Sequence, residues 1–181
     1  MKLLDLIERP RIVTWLRDPA RRMLSSYTYL RDLDVEMQSL LNDPFAIKQH
    51  QAAQGLSFAE WVLLPQDEYA HNEVMTQCLY PQDLWDEEVL SDTIRNLNRL
   101  DHVGLVDRMQ DSVDLLCHKF IWLPTRFGLR LNTSRSSSTQ IDARTLAAIR
   151  ERNPWDYALY EHGKQLFEER WQTMLKSLDL A

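Results

Sequence analysis

Arg11-Ile-Val-Thr-Trp-Leu-Arg-Asp-Pro-Ala-Arg-Arg-Met-Leu-Ser-Ser-Tyr-Thr-Tyr-Leu-Arg31 is the stretch whose reading decides the fold. The apolar, β-branched run Ile12 to Leu16 has the composition of a short buried strand. It stops at Arg17-Asp18-Pro19. Aspartate is a strong N-cap and proline fits the first helical position, so a helix is expected from there to about Arg31. The unit is a strand, a tight turn and a helix, with Arg17 at the strand's carboxyl end. Open α/β sheets bind their ligands at that edge. Arg17 at the turn and Ser25 two turns into the helix supply a fork of N–H donors and a hydroxyl suited to one anion.

The bulk numbers fit one soluble domain. The chain has 181 residues, 44% hydrophobic and 27% charged, with a net charge of −6. That balance argues against non-specific nucleic-acid binding, which needs a basic surface. It leaves room for a local basic pocket, because most of the 21 basic residues are Arg, the side chain suited to bidentate phosphate contact. Cys78 and Cys117 form neither a disulfide framework nor a metal-ligand pattern, and Cys117-His118 reads as a buried thiol beside a surface imidazole. No metal is expected. The apolar stretch near Met1 is interrupted by Lys2, Asp5 and Glu8-Arg9, so neither a secretory signal nor a membrane span is expected, and the expected location is the cytoplasm.

Further along, Ser57-Phe-Ala-Glu60 before Trp61-Val-Leu is a capping-box signature. Helical patches are expected at residues 2–8, 35–41, 44–54 and 57–63. Phe45, Phe58, Trp61 and Tyr69 read as local core rather than as a sugar-binding platform. A helix is expected over 86–100, where Val89, Leu90, Ile94, Leu97 and Leu100 recur at three- and four-residue steps. A short strand over His102–Asp107 and a helix from Asp107 to about Phe120 follow. Residues 142–152 form a helix capped by Asp142, and Pro154 opens a last helix to about Leu178. Its apolar stripe is Trp155, Leu159, Leu166, Phe167, Trp171 and Leu175. Leu129 to Thr139 is a polar, Ser-rich loop; composition alone reads it as a flexible linker.

Arg17-Asp18-Pro19-x-x-Arg22-x-x-Ser25-x-Tyr27 resembles the 3′-phosphate-binding motif of sulfotransferases that use PAPS (3′-phosphoadenosine 5′-phosphosulfate), closest to their carbohydrate and bacterial branches. Asn72-Glu-Val-Met-Thr-Gln-Cys-Leu79 resembles that family's Asn-x-x-x-Thr-Arg-x-Leu segment, with Gln77 where arginine is usual. The order of the 86–100 helix, Val103-Gly-Leu, then Asp-Arg and a Leu-rich helix ending in Trp-Leu-Pro, is similar too. So is Asn153-x-x-Asp156-x-x-Leu159-Tyr160-Glu161 followed by Phe167. The resemblance covers nearly all of residues 1–181, read as one domain with 32–71 as a variable insertion that shapes the acceptor site.

The resemblance implies an α/β fold: an incomplete P-loop-like parallel sheet of few short strands, with predominantly helical content. It implies PAPS as donor, PAP (3′,5′-adenosine bisphosphate) as product, and a hydroxyl-bearing small molecule or carbohydrate as acceptor. Arg17, Ser25, Ser134, Arg135 and Ser136 are the implied nucleotide-binding residues, the last three in a loop that folds over the 3′-phosphate in the family.

Two of the reaction's needs are not met by visible residues. The 5′-phosphosulfate is gripped in the family by a Pro-Lys-x-Gly-Thr-Thr type loop upstream of this strand. Here the glycines are only Gly55, Gly104, Gly128 and Gly163, and no glycine-rich phosphate loop is formed. The acceptor hydroxyl needs a general base, and none of His50, His71, His102, His118 and His162 stands in a matching context. The expectation is therefore a sulfotransferase-related chain that lacks its N-terminal segment or has degenerated. The alternatives are a non-catalytic PAP/PAPS-binding protein and a helical module that binds a protein partner.

Overall fold

The computed structural model describes residues 10–33, 44–65, 72–80, 88–126 and 140–179. Two strands, β1 (Val13–Leu16) and β2 (His102–Leu105), pair in parallel, with Val13 opposite His102 and Leu16 opposite Leu105. The helices are α1 (Pro19–Arg31), α2 (Pro44–Gly55), α3 (Phe58–Val62), α4 (Val74–Leu79), α5 (Val89–Arg99), α6 (Met109–Phe120), α7 (Ala143–Arg152) and α8 (Pro154–Ser177). A 3₁₀ turn, Val106–Arg108, joins β2 to α6. The expected α/β class, with few short strands and mostly helix, is the one observed. Two expectations differ at this junction: the strand expected to reach Asp107 ends at Leu105, and the helix expected from Asp107 opens at Met109. Ser112 Oγ, one turn into α6, accepts from Leu105 N at 2.8 Å and lies 2.8 Å from Arg108 O, folding the chain out of the ladder. The expectations for residues 2–8, 35–41 and 129–139, the Phe45 side chain and Tyr69 lie outside the described residues.

The described residues divide between two compact units. The first comprises Met1–Arg17, Met75–Gly128 and Ala158–Ala181. β2 is buried along its whole length, as expected of a strand in a parallel sheet covered by helices. Leu16, Leu97, Val103, Leu105, Leu115, Leu159 and Phe167 form its core. Two glycines permit this packing. A Cβ on Gly104 would lie 2.5 Å from Trp15 Nε1 and 3.0 Å from Ser112 Cβ, so only glycine lets the indole cross β2. A Cβ on Gly163 would collide with the Leu16 side chain, so the glycine brings α8 onto β1. At the sheet's amino end Asp101 joins both strands, accepting from Ile12 N (2.9 Å) and Arg11 Nη1 (3.0 Å). Of the expected stripe of α8, the five residues from Leu159 to Leu175 are packed in this core, and Trp155, in the second unit, is not among them. Leu159 and Phe167 are buried, and Leu166, Trp171 and Leu175 pack against them.

The second unit comprises Asp18–Val74 and Leu129–Tyr157. Met23, Tyr27, Ala53, Trp61, Val62 and Ile149 are buried in its core, with Phe58 packed against them. Complete burial of side chains such as Met23 and Trp61 contributes about 1.5–3 kcal/mol each. Trp61 and Phe58 are thus core residues, as read from the sequence. The helix starts follow the local signals. Asp18 accepts from Arg21 N at 2.9 Å, Asp142 accepts from Thr145 N at 2.9 Å, and Ser57 and Glu60 form the expected capping box. Arg152 gathers the carbonyls of Val62, Leu63 and Leu64 at 2.7–3.2 Å, satisfying the open end of α3.

Candidate functional site

Arg17 follows directly on β1, at the carboxyl end of the strand. The strand ends there because Asp18 and Pro19 cap and open α1. The guanidinium is half-buried, and its Nε is shielded from solvent with no hydrogen-bond partner among the described residues. A buried guanidinium N–H left unbonded is costly, by about 1–3 kcal/mol or more for a charged group. A ligand oxygen that supplied the missing bond would recover that cost. Ser25 lies half-buried on α1, in the second unit. Ser134, Arg135 and Ser136 lie outside the described residues.

The other motif residues have a different role. Glu73 sits at the foot of α4 with φ 49°, in the left-handed region, and is buried. Its carboxylate accepts from Trp155 N (3.0 Å) and Asp156 N (2.6 Å), the free N–H groups of the first turn of α8. Its own N–H donates to Asn153 Oδ1 at 2.9 Å. Asn153 Nδ2 reaches Asn72 Oδ1 at 3.2 Å and Ile149 O at 2.8 Å. Asp156, fully buried, stands 3.8 Å from Arg22 Nε. Four sequence blocks, around Arg22, Asn72–Glu73, Ile149 and Asn153–Asp156, are thus tied into one buried polar knot. Burial, opposed by the two backbone donors, pushes the Glu73 carboxyl up to about 7. Neither Arg17 nor Ser25 belongs to this knot. It fixes the position of α1 against the start of α8 and leaves no member facing solvent as a reactive group. Glu73 drew no attention in the sequence, because nothing local marks a capping residue that serves a helix 80 residues on.

The histidines divide similarly. His102 is buried in β2 against Trp15, with ring centroids 5.3 Å apart. Burial, reinforced by the charges of Arg170 and Lys119, pushes its imidazole down to about 4, so it is neutral near pH 7. His162 contacts Asn98 Oδ1 at 2.9 Å on the surface of α8. Cys117 is buried and His118 exposed, as read from the sequence. Among the described residues no group of three or more His, Cys, Asp or Glu could hold a metal ion.

A parallel strand pair with an under-bonded arginine at its carboxyl edge defines an α/β protein suited to bind an anion there. The comparison with known proteins points the same way. The chain is 32% identical over 84 residues to heparan-sulfate 6-O-sulfotransferase 2 of Danio rerio. That alignment covers 46% of this chain and 18% of the relative, so the chain spans under a fifth of that protein's length. The similarity is to the sulfotransferases at the level of the family. No family model matches the chain, and no solved structure does. Among the described residues no helix is long and apolar enough to cross a membrane.

Proposed function

We propose that this chain is the 3′-phosphate-binding part of a sulfotransferase that uses PAPS, with Arg17 as the principal phosphate ligand. The observation that carries the reading is the buried Nε of Arg17 at the carboxyl end of β1, without a hydrogen-bond partner among the described residues. The sulfotransferase similarity supports the identity of the anion. Ser25, Ser134, Arg135 and Ser136 complete the proposed set. Hydroxyls beside arginines can ring a phosphate with charge-assisted hydrogen bonds, which are shorter and about twice as strong as neutral ones. PAPS supplies the sulfuryl group, which passes to a hydroxyl acceptor, carbohydrate or smaller, and leaves PAP. In this reading residues 1–181 act as one functional domain with a P-loop-like sheet, residues 32–71 are a variable insertion, and the protein works in the cytoplasm.

Calorimetric titration of the purified chain with PAP, with 5′-AMP as control, tests the proposal. Binding of PAP and not of AMP is expected. No PAP binding to the folded chain would refute it. A second reading, a module that binds a protein partner, draws on one observation: Ile121, Trp122 and Leu123 are 94%, 58% and 86% exposed. Three consecutive apolar side chains in water are a feature of interaction surfaces.

A further inference from the structure

We propose that the amino end of the sheet is a docking surface for an anionic lipid membrane, with Ile121, Trp122 and Leu123 entering the headgroup layer and Arg11 and Lys119 meeting lipid phosphates. All five residues belong to the first unit. The last turn of α6 lies beside Asp101, where Lys119 Nζ donates to the Asp101 carbonyl. The chain then turns sharply. Ile121 N donates to His118 O at 3.3 Å and Trp122 N to Cys117 O at 2.9 Å, so the residues that follow leave the helix in a fixed direction. Ile121, Trp122 and Leu123 stand exposed there. Ile121 is a β-branched residue in the left-handed region, a position that glycine fills without strain. A strained apolar residue held out in water points to a use for its side chain.

Charge decides what covers these side chains. The rings of Phe120 and Trp122 stand 5.2 Å apart, and the Arg11 guanidinium lies over Phe120 at 5.8 Å. Arg11 also reaches Asp101 at 3.0 Å. Arg170 donates to Leu100 O at 3.5 Å, and its Nη1 is buried with no hydrogen-bond partner among the described residues. Among the described residues, then, three cations (Arg11, Lys119 and Arg170) gather around the one carboxylate of Asp101. Partial burial and the charge of Arg170 hold the Lys119 ammonium below its usual range, a sign that the local positive charge is not compensated. The apolar residues are bracketed in sequence by Lys119 and the exposed Arg126. A chain of net charge −6 thus carries a cationic patch joined to an apolar tip. A stable protein interface takes about 20–30 residues a side and keeps lysine out of its core, which three residues at one helix end beside Lys119 do not match. A lipid surface asks for less. An indole and two aliphatic side chains set among cations suit the headgroup layer, and each cation near an anionic surface adds attraction.

This surface lies at the opposite end of β1 from Arg17 and does not rest on the sulfotransferase reading. The test is co-sedimentation of the full chain with phosphatidylcholine vesicles that contain phosphatidylserine, and in parallel with phosphatidylcholine vesicles alone. Binding to the first and not to the second is expected, and it should fall as salt is raised. Trp122→Ser should weaken binding about tenfold, through loss of one large buried side chain, and Lys119→Gln about fivefold. Ile121→Gly should weaken binding while raising the melting temperature, which separates docking from folding. No binding to the anionic vesicles, equal binding to both kinds, or binding undiminished in Trp122→Ser would each overturn the proposal. So would a concentration-dependent dimer that Trp122→Ser abolishes, because a second copy of the chain would then cover these side chains.

Discussion

Glu73 and His102 place opposing titrations in two buried sites. The Glu73 carboxyl is raised from an ordinary 4.5 to about 7 by burial, so between those values the native state holds a proton that the unfolded chain has released. Its contribution is fully present below about 4.5 and is lost as the pH rises to 7. His102 is lowered from 6.5 to about 4, so over that range the unfolded chain binds the extra proton. Its contribution grows as the pH rises from 4 to 6.5. The two slopes oppose each other across most of the same window. The wild-type chain should therefore show nearly constant stability from pH 4.5 to 6.5 by urea unfolding. Glu73→Gln should unmask a profile that rises with pH over that window. An unchanged profile in the variant would mean that Glu73 does not titrate there. Asp156 is the charged neighbour that adds to the rise at this carboxyl, and Arg22 stands 3.8 Å from Asp156.

Single elements carry their own signals, and two of them make predictions. Ile121 closes α6 in the left-handed region, φ 56°, with its side chain in water. A β-branched residue there costs about 1–2 kcal/mol, so Ile121→Gly should stabilise the chain by about 1 kcal/mol in thermal unfolding. Lower stability would mean that this side chain is held by contacts the exposure does not reveal. Gly104→Ala forces a methyl against the Trp15 indole inside β2, and overpacking of this kind costs about 1–3 kcal/mol. A melting temperature unchanged by that substitution would show that Trp15 can yield.

These elements also show what the sequence makes legible. Asp18-Pro19, the Ser57–Glu60 box and Asp142 each act within one helical turn of themselves, so their signals are local and the helix starts could be read directly. The α8 stripe was legible because its period is fixed by helix geometry. The end of β2 was not, since Ser112, seven residues away, decides it. The knot joining Glu73 to Asn153 and Asp156 was invisible for a stronger reason. Its partners are some 80 residues apart, and only the fold brings a carboxylate to the foot of that helix. Arg17 was legible as a cation at a strand's carboxyl end; that its Nε is buried and unbonded was not.

At the scale of the whole molecule, Arg17 stands at the carboxyl end of the parallel strand pair, the edge at which open α/β sheets take their ligands. Arg17 after β1 has an Nε without a hydrogen-bond partner among the described residues, which suits it to an anion. In the proposed function Arg17 binds the 3′-phosphate. The most direct test is the affinity of PAP and of 5′-AMP for the wild-type chain and for Arg17→Ala, treated as a cycle. The wild type should prefer PAP, and Arg17→Ala should lose about 1.5–3 kcal/mol of PAP affinity with little change for AMP, erasing the preference. A preference for PAP that survives intact in Arg17→Ala would contradict the assignment.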